Sequence, residues 1–440
     1  MDPILICFLA FGLVILLLLL RVPIAFALLI GASLGLYVLY SWPAGREFDL
    51  TRGIRPTMSA LADVPYSFVH SYALATIPLY IALGNIAHAA GITTDLFFAM
   101  QRLLRRLRGG IAMASIFGCG GFAAISGSSI VCAATMGRIA TPEMLNRGYA
   151  PGLATGVVAA GGTLGALIPP SIPFILFAVL AEESVSKLLL AGIAPGLLTL
   201  VAYLFVVWLW TRLRPQDAPS SGDPQEDEVA WKVYLKTWPT LLLMTIIIGG
   251  IFFGFFTGIQ AAAVSVIAAF LVGVLRGRMS FPVLGKALSD AAVQSTAIFA
   301  IGVGAKVMIT LVAAANLAGG AVEWIEAAQI PPWTVMAGIV LILLVMGMFL
   351  DPAGIILLMV PITLPVVEGL GFDLIWYAVV FVKLIEIGLI TPPIGLNAFV
   401  LNSVLPKSYG ITLGTVFRGI AMFILIDLVV LAILLGWPEF

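Results

Sequence analysis

Charged residues are scarce in this chain of 440 residues: 10% are Asp, Glu, Lys or Arg, while 61% are hydrophobic. Soluble domains carry about 25% charged residues, so a soluble globule of this composition would lack an adequate polar surface. Apolar runs of about 20 residues, the length at which a helix spans a bilayer, occur repeatedly. The composition therefore predicts an all-α polytopic membrane protein.

Metal-binding, redox and nucleotide-binding signals are also few. The cysteines are three in number and form no CxxC pair: Cys7, Cys119 and Cys132. A zinc site or a disulfide framework is therefore not expected. Gly118–Gly121 is not followed by the GK[ST] of a phosphate loop, which disfavours ATP-driven pumping. Neither His70 nor His88 lies beside the serine motif at Ile125–Ser129, which disfavours an intramembrane hydrolase, and the net charge of zero gives no indication of nucleic acid.

Residues that break helices are concentrated in two parts of this apolar chain. One part comprises Phe122–Tyr149 and Gly165–Ser171, and a related part runs from Gly347 to Asn397. A single ungapped offset relates their Gly and Pro positions: Pro142 to Pro365, Gly148 to Gly371, Gly165 to Gly388, and Pro169-Pro170 to Pro392-Pro393. Such coincidences favour an internal repeat, because Gly and Pro set backbone geometry.

The repeat predicts a division of the chain into two halves joined by a polar loop. The first repeat covers residues 1–214, with a re-entrant hairpin near 111–141 and a helix broken at 169–170. Residues 215–237 form the polar cytoplasmic loop. The second repeat covers residues 238–440, with a re-entrant hairpin near 333–366 and a helix broken at 392–393. Ile4–Leu20 and Ile24–Tyr40 are predicted to form a retained helical hairpin, and Phe281–Ser295 is predicted to be an interfacial segment before a span at Ala297–Ala318.

Positive charge favours the cytoplasmic side of a membrane and predicts how the halves are oriented. With the N-terminus outside, the basic cluster at Gln101–Arg108 lies inside. The broken part of the second half then opens outside, where no Lys or Arg occurs between Ala318 and Tyr377. The halves thus have opposite orientation. Inverted repeats with broken helices at the bilayer midplane are typical of secondary transporters.

Broken helices inside a membrane leave backbone groups that need water, protein or an ion as a partner. Ile125–Ser129 offers hydroxyl and carbonyl oxygens that suit a hard cation such as Na⁺, or its serines only cap helix ends. Asp351 interrupts an uncharged run, which indicates a functional carboxylate, although it also fits an N-cap before Pro352. The hydroxyl of Thr391 and the backbone carbonyls beside it could also reach a bound ion.

Ser171 and Asn397 follow the two Pro-Pro breaks, where helix N-termini attract anions. A carboxylate held between the breaks and simple helix capping both fit this placement. Lys383 and Glu386 are three residues apart and could pair on one helix face. That pair, and Lys306, fit a structural role or a contact with a partner subunit slightly better than substrate binding.

Four motifs resemble the large membrane subunit of tripartite ATP-independent periplasmic (TRAP) transporters. They are AISGSSIVCAATMGRIATPEMLNRGY at Ala124–Tyr149, GTLGALIPPSI at Gly162–Ile172, AGIAPGLL at Ala191–Leu198, and IGLITPPIGLNAFV at Ile387–Val400. The match in plan covers nearly the whole chain, with a departure at Val131-Cys132. The resemblance implies an elevator-type transporter in the bacterial inner membrane, where the outside N-terminus predicted from the charge pattern is periplasmic. It implies Na⁺-driven uptake of a carboxylate, such as a C4-dicarboxylate or sialic acid.

The resemblance also implies site residues and partners. The first Na⁺ site would be formed by Ser126, Gly127, Ser128 and Gly165. The second would be formed by Asp351, Gly354, Thr391 and Gly395. The substrate would lie near Ser128, Ser129, Ser171 and Asn397. A periplasmic binding protein would deliver it, and a small four-helix membrane subunit is expected as a separate polypeptide. A stand-alone Na⁺- or H⁺-coupled di- or tricarboxylate carrier is the main alternative, while a channel does not explain the two Pro-Pro breaks.

Overall fold

The computed structural model describes residues 2–219 and 236–437, and within them the secondary structure is helical throughout. The helices of the first half are α1 Pro3–Leu19, α2 Ile24–Ser41, α3 Leu50–Val69, α4 Thr76–Ala89, α5 Ile92–Leu104, α6 Gly110–Ser126, α7 Ser129–Asn146, α8 Pro151–Leu167, α9 Ile172–Leu180, α10 Val185–Ala191 and α11 Ile193–Leu213. Those of the second half are α12 Trp238–Phe252, α13 Gly258–Leu275, α14 Phe281–Ala314, α15 Leu317–Ala327, α16 Pro332–Gly347, α17 Pro352–Gly369, α18 Leu374–Ile390, α19 Leu396–Val404 and α20 Leu413–Gly436. Short 3₁₀ turns occupy Tyr72–Ala75, Pro215–Asp217 and Lys407–Tyr409.

Eight helices or helix pairs of the described chain are long and apolar enough to cross a membrane. The longest is α14, a continuous helix of 34 residues. Phe281–Ser295 and the span predicted after it thus form one helix rather than two segments, and the interfacial position of residues 281–295 stays a prediction. The polar side chains at the expected boundary do not interrupt the helix, because the Ser295 hydroxyl donates to the carbonyl of Ala291 at 2.7 Å. Such a bond to the preceding turn satisfies a hydroxyl inside an apolar helix.

The offset between the halves relates helix boundaries as well as Gly and Pro positions. Helices α7 and α17 begin and end at positions related by that same offset, and so do α8 and α18. Gly148 and Gly371 follow α7 and α17 with similar positive φ angles of 82° and 80°. Both Pro-Pro bonds are cis and follow the ends of α8 and α18. The two halves therefore fold their central hairpins and broken helices to the same plan.

The start of the polar segment after α11 is held against the helices. The backbone N–H of Ala150 donates to the carbonyl of Asp217 at 2.9 Å, and the Trp210 indole donates to the Asp217 carboxylate at 2.8 Å. Residues 215–219 of the predicted loop thus pack on α8 and α11. Residues 220–235 of the predicted loop lie outside the described residues.

Helices α8 and α20 cross at glycines. A Cβ at Gly419 would meet the carbonyl oxygen of Gly152 and would lie 3.1 Å from the Cα of Gly156. These are backbone atoms, which a side-chain rotation cannot move away. Small residues at helix crossings let backbones approach closely and are typical of membrane helix packing.

Gly419→Ala is therefore expected to destabilise the chain by about 1–3 kcal/mol through overpacking. Gly414→Ala on the same helix is the matched control, because a Cβ there meets nothing closer than 3.8 Å. Thermal unfolding of both variants in detergent measures the difference. A Gly419→Ala melting temperature equal to that of Gly414→Ala would show that the crossing tolerates a methyl group.

Candidate functional site

The tip of the first helical hairpin is the short turn between α6 and α7. Gly127 has a φ of 66°, a left-handed conformation that ends α6, and its N–H donates to the carbonyl of Ala123 at 3.1 Å. Ser128 is extended, and its hydroxyl accepts the N–H of Val131 at 3.5 Å. The hydroxyl of Ser126 is buried and has no hydrogen-bond partner among the described residues. Ser128 therefore caps a helix, as the sequence allowed, while the hydroxyl oxygen of Ser126 is available for another partner.

The first tip rests against the first Pro-Pro break. The N–H of Ile172, at the start of α9, donates to the carbonyl of Gly127 at 3.1 Å. A Cβ at Gly165 would lie 2.7 Å from the carbonyl oxygen of Ser128 and 2.9 Å from the N of Ser129. Only glycine fits at position 165 without moving the tip. The predicted first-site residues Ser126, Gly127, Ser128 and Gly165 are thus brought together.

The tip of the second hairpin lies between α16 and α17. The Asp351 carboxylate accepts the N–H of Gly354 at 3.2 Å and so caps α17, whose first residue is Pro352. Helix α16 ends at Gly347, where an added Cβ would lie 2.9 Å from the Cα of Gly388 on α18. The capping role of Asp351 considered from the sequence is confirmed. It leaves the other lone pairs of the carboxylate available.

The two tips border one cavity of about 330 Å³. Its polar lining residues are Ser128 and Ser129 of the first tip, Asp351 of the second tip, and Gln294 of α14. Asp351 is the charged residue among those that line it, so within the described chain the cavity carries a carboxylate and no basic group. Gln294 was missed by the sequence reasoning, although a lone amide in an apolar run was a usable signal.

Two other predicted site residues, Ser171 and Thr391, do not line this cavity. Ser171 is buried at the start of α9, where its hydroxyl accepts the N–H of Phe174 at 3.2 Å and donates to the carbonyl of Ala166. The Thr391 hydroxyl donates to the carbonyl of Ile387 at 2.6 Å. Both hydroxyls are thus engaged by their own local backbone.

The remaining predicted residues lie at the second Pro-Pro break. Gly395 has a φ of 55° and precedes α19, and an added Cβ would lie 3.3 Å from the carbonyl oxygen of Thr391. Asn397 is buried on α19, and its amide nitrogen donates to the carbonyl of Ala159 on α8 at 3.5 Å. Its Oδ1 has no hydrogen-bond partner among the described residues. The second break therefore contributes a buried amide that contacts α8 rather than the cavity between the tips.

Comparison with known proteins identifies the family. The family model of the tripartite ATP-independent periplasmic transporter, DctM component, matches residues 11–440. The chain belongs to this TRAP transporter family. The C4-dicarboxylate TRAP transporter large permease protein DctM of Pseudomonas aeruginosa is 33% identical over 383 residues, which are 87% of this chain and 88% of that relative.

Two further likenesses bear on the architecture of the permease. The isethionate TRAP transporter permease protein DctMQ of Oleidesulfovibrio alaskensis is 30% identical over 78% of this chain, and the match covers 54% of that longer relative. The YdaH transporter structure of Alcanivorax borkumensis superimposes on 99% of this chain and 98% of its own with a TM-score of 0.69 and 15% identity. That likeness supports the fold. The sequence-based resemblance to the TRAP large subunit is confirmed.

The spacing of Lys383 and Glu386 allowed an ion pair on one helix face, but in the permease the two side chains have other partners. The Lys383 ammonium lies 2.5 Å from the Asp427 carboxylate on α20, and both side chains are 0% exposed. Glu386 instead faces α7, where its carboxylate accepts the hydroxyl of Ser129 at 2.7 Å. Asp427 was missed by the sequence reasoning. A single acid within the apolar run of α20 was the signal that could have revealed it.

Lys306 of the permease pairs with an exposed carboxylate near the end of α9. Its ammonium lies 2.8 Å from Glu182, and this hydrogen bond, with the positive charge behind it, holds the pKa of the Glu182 carboxyl below its ordinary value. A lowered folded-state pKa stabilises the fold at neutral pH, and the stabilisation is lost as pH falls through the carboxyl range. The pair joins α14 to the segment between α9 and α10.

Glu182→Gln is expected to lower the free energy of unfolding by less than about 1 kcal/mol, because the Glu182 side chain is 77% exposed and solvent screens the ion pair. The difference in melting temperature from wild type should shrink as pH falls toward about 4. Glu183→Gln, one residue away, is the control. A difference that persists unchanged at acid pH would show that the ion pair is not its cause.

Proposed function

We propose that this TRAP large permease subunit carries an organic carboxylate, such as a C4-dicarboxylate or sialic acid, into the cell together with Na⁺. The observation that carries the proposal is the cavity shared by the hairpin tips, which contains Asp351 and no basic side chain among the described lining residues. A carboxylate substrate entering it alone would be repelled by Asp351. Bound cations remove that repulsion, so cation binding and carboxylate binding favour each other.

The tip residues suit Na⁺ as the coupling ion. Hard cations take oxygen ligands, and the tips offer the unpartnered hydroxyl of Ser126, the hydroxyl of Ser128 and the carboxylate of Asp351. The first site would include Gly127 and Gly165 through their backbone, and the second Gly354, Thr391 and Gly395. Ser129 would contact the substrate through its backbone at the start of α7, because its hydroxyl donates to Glu386. Ser171 and Asn397 would act from the adjoining breaks.

The repeated plan of the halves supports an alternating-access mechanism. Hairpins α6–α7 and α16–α17 and the broken helices α8–α9 and α18–α19 repeat at one offset to within two residues at each boundary. The charge pattern favours opposite orientation of the repeats. In the proposed elevator, these hairpins and broken helices move together while the remaining helices form the scaffold. The proposed setting is the inner membrane, with the N-terminus on the periplasmic side.

Two protein partners are part of the proposal. A periplasmic binding protein delivers the carboxylate, and a small membrane subunit packs against the scaffold. The name and length of the DctMQ relative are consistent with a joined arrangement in that protein. For the present permease a separate small subunit is proposed.

Uptake into liposomes tests the function. The permease is reconstituted with its small subunit, and entry of labelled succinate and sialic acid is followed with and without an inward Na⁺ gradient and with and without a binding protein from the same genome. Uptake that requires both supports the proposal. Uptake by the isolated chain without a binding protein would indicate the stand-alone carrier instead, and Na⁺-independent uptake would overturn the proposed coupling.

A further inference from the structure

Glu386 is a buried carboxylate that has no role in the transport site proposed above. It lies on α18 with a side chain that is 0% exposed. One carboxylate oxygen accepts the hydroxyl of Ser129 on α7 at 2.7 Å. The other is buried and has no hydrogen-bond partner among the residues that the structure describes. An ionised carboxylate in this setting is very unfavourable unless a positive species accompanies it.

The neighbouring charges do not supply that positive species. The charged and titratable groups around Glu386 are Lys383 on its own helix, Asp427 on α20, Tyr203 on α11 and Cys132 on α7. The ammonium of Lys383 is committed to Asp427, at 2.5 Å, and to the hydroxyl of Thr199, at 3.2 Å. Lysine and aspartate thus balance each other, and Glu386 adds a net negative charge to the group when it is ionised.

Ser129 connects this carboxylate to the cavity between the hairpin tips. It lines the cavity beside Ser128, so Glu386 lies one hydrogen bond behind the wall. Because the Ser129 hydroxyl donates its hydrogen to Glu386, its oxygen lone pairs are left for another partner. The tips differ in charge, since Ser128 caps α7 whereas Asp351, its counterpart in the second repeat, caps α17. Glu386 provides the negative charge that the first tip lacks.

We propose that Glu386 is the charge partner of a cation bound at the first hairpin tip, acting through Ser129, and that it takes up a proton when that cation leaves. The inference rests on the proposed Na⁺ coupling and deepens it. In balance, Na⁺ binding releases H⁺ from the Glu386 carboxylic acid, and Na⁺ departure allows the carboxylate to bind H⁺ again. Glu386 is thus a positioning residue, and the cation contacts the tip.

The test is Na⁺-dependent thermal stability of the full-length purified chain in detergent. NaCl replaces choline chloride at constant ionic strength, and melting is followed at about pH 6 and about pH 8. The wild type is expected to need more Na⁺ for half of the melting shift at the lower pH, because protons compete. Glu386→Gln keeps an acceptor for Ser129 but removes the charge, so the half-shift Na⁺ concentration should rise about tenfold or more and lose its pH dependence. Glu386→Asp should recover part of both.

A control and a second variant keep the test decisive. Glu326→Gln, on the exposed face of α15, should behave as wild type. If Glu386→Gln does not fold, Ser129→Ala carries the test and should weaken Na⁺ binding and reduce its pH dependence. A Glu386→Gln or Ser129→Ala chain with the wild-type Na⁺ midpoint and pH profile overturns this inference alone. A wild-type chain that Na⁺ does not stabilise overturns the proposed coupling itself.

Discussion

Asp351→Asn is expected to reduce Na⁺-driven uptake about ten- to hundredfold while the chain remains folded, since a hydrogen bond or ligand contact with an ionised group contributes about 1.5–3 kcal/mol. Asparagine caps helices nearly as well as aspartate, so the N–H of Gly354 keeps its acceptor. What the substitution removes is the negative charge of the cavity between the tips. Initial uptake rates as a function of Na⁺ concentration measure the effect.

Asp373→Asn is the matched control for that variant. Asp373 also caps a helix, accepting the N–H of Trp376 at 2.7 Å at the start of α18, but it does not line the cavity. Its replacement should leave the Na⁺ dependence unchanged. If the Asp351→Asn chain retained the wild-type Na⁺ dependence, Asp351 would be a cap and nothing more, and the second cation site would have to be placed elsewhere.

Lys383→Met is expected to destabilise the permease by about 3–5 kcal/mol, because it leaves the Asp427 carboxylate buried without its cation. The Asp427 carboxylate also accepts a hydrogen bond of 2.7 Å from the Tyr203 hydroxyl, which joins α11 to α20. This bond is weakened if Asp427 becomes neutral after losing its cation. Thermal or denaturant unfolding in detergent measures the change. The substitution should act on stability first, because neither member of the pair lines the cavity.

The double variant Lys383→Met with Asp427→Leu shows whether the stability lost in Lys383→Met comes from the ion pair or from altered packing. Replacing both charges by apolar groups removes the unpaired charge, so the double variant should be more stable than Lys383→Met alone. The coupling energy of the cycle is expected to be large for side chains in direct contact. Additive losses would mean that the two groups do not stabilise each other, contrary to their separation of 2.5 Å.

The breaks and tips of the fold could be predicted because their residues act through the local backbone. Proline lacks the N–H that continues a helix, and glycine permits the positive φ found at Gly127 and Gly148. Capping by Ser128 and Asp351 followed from the same local chemistry. The single offset found from Gly and Pro therefore also relates the boundaries of α7 and α8 to those of α17 and α18.

The partners of buried polar groups could not be predicted from the sequence. Helices α18 and α20 are apolar nearly all round, so periodicity does not show which face meets which neighbour. The spacing of Lys383 and Glu386 allowed a pair on one helix, whereas tertiary packing placed Asp427 and Ser129 closer. The continuity of α14 was missed because Phe281–Ser295 was interpreted as an interfacial segment before the span, although its polar side chains fit within one long helix.

The same contrast applies to the hydroxyls of the candidate site. Sequence shows that the hydroxyls of Ser171 and Thr391 are available near the Pro-Pro breaks, but it does not show their direction. In the structure both are taken up by nearby carbonyls, whereas Ser129 reaches the cavity wall. Gln294 entered the site only through the packing of α14 against the tips.

Thiol labelling of the two tips tests most directly whether they form one transport site. Ile130→Cys and Ala353→Cys place thiols in the cavity lining, one at each tip, and the native cysteines Cys7, Cys119 and Cys132 are buried. Lys407→Cys, at an exposed position, is the control. NaCl together with the carboxylate that supports uptake should slow maleimide labelling at both tips and leave the control unchanged. Protection at one tip only, or at neither, would contradict a shared site.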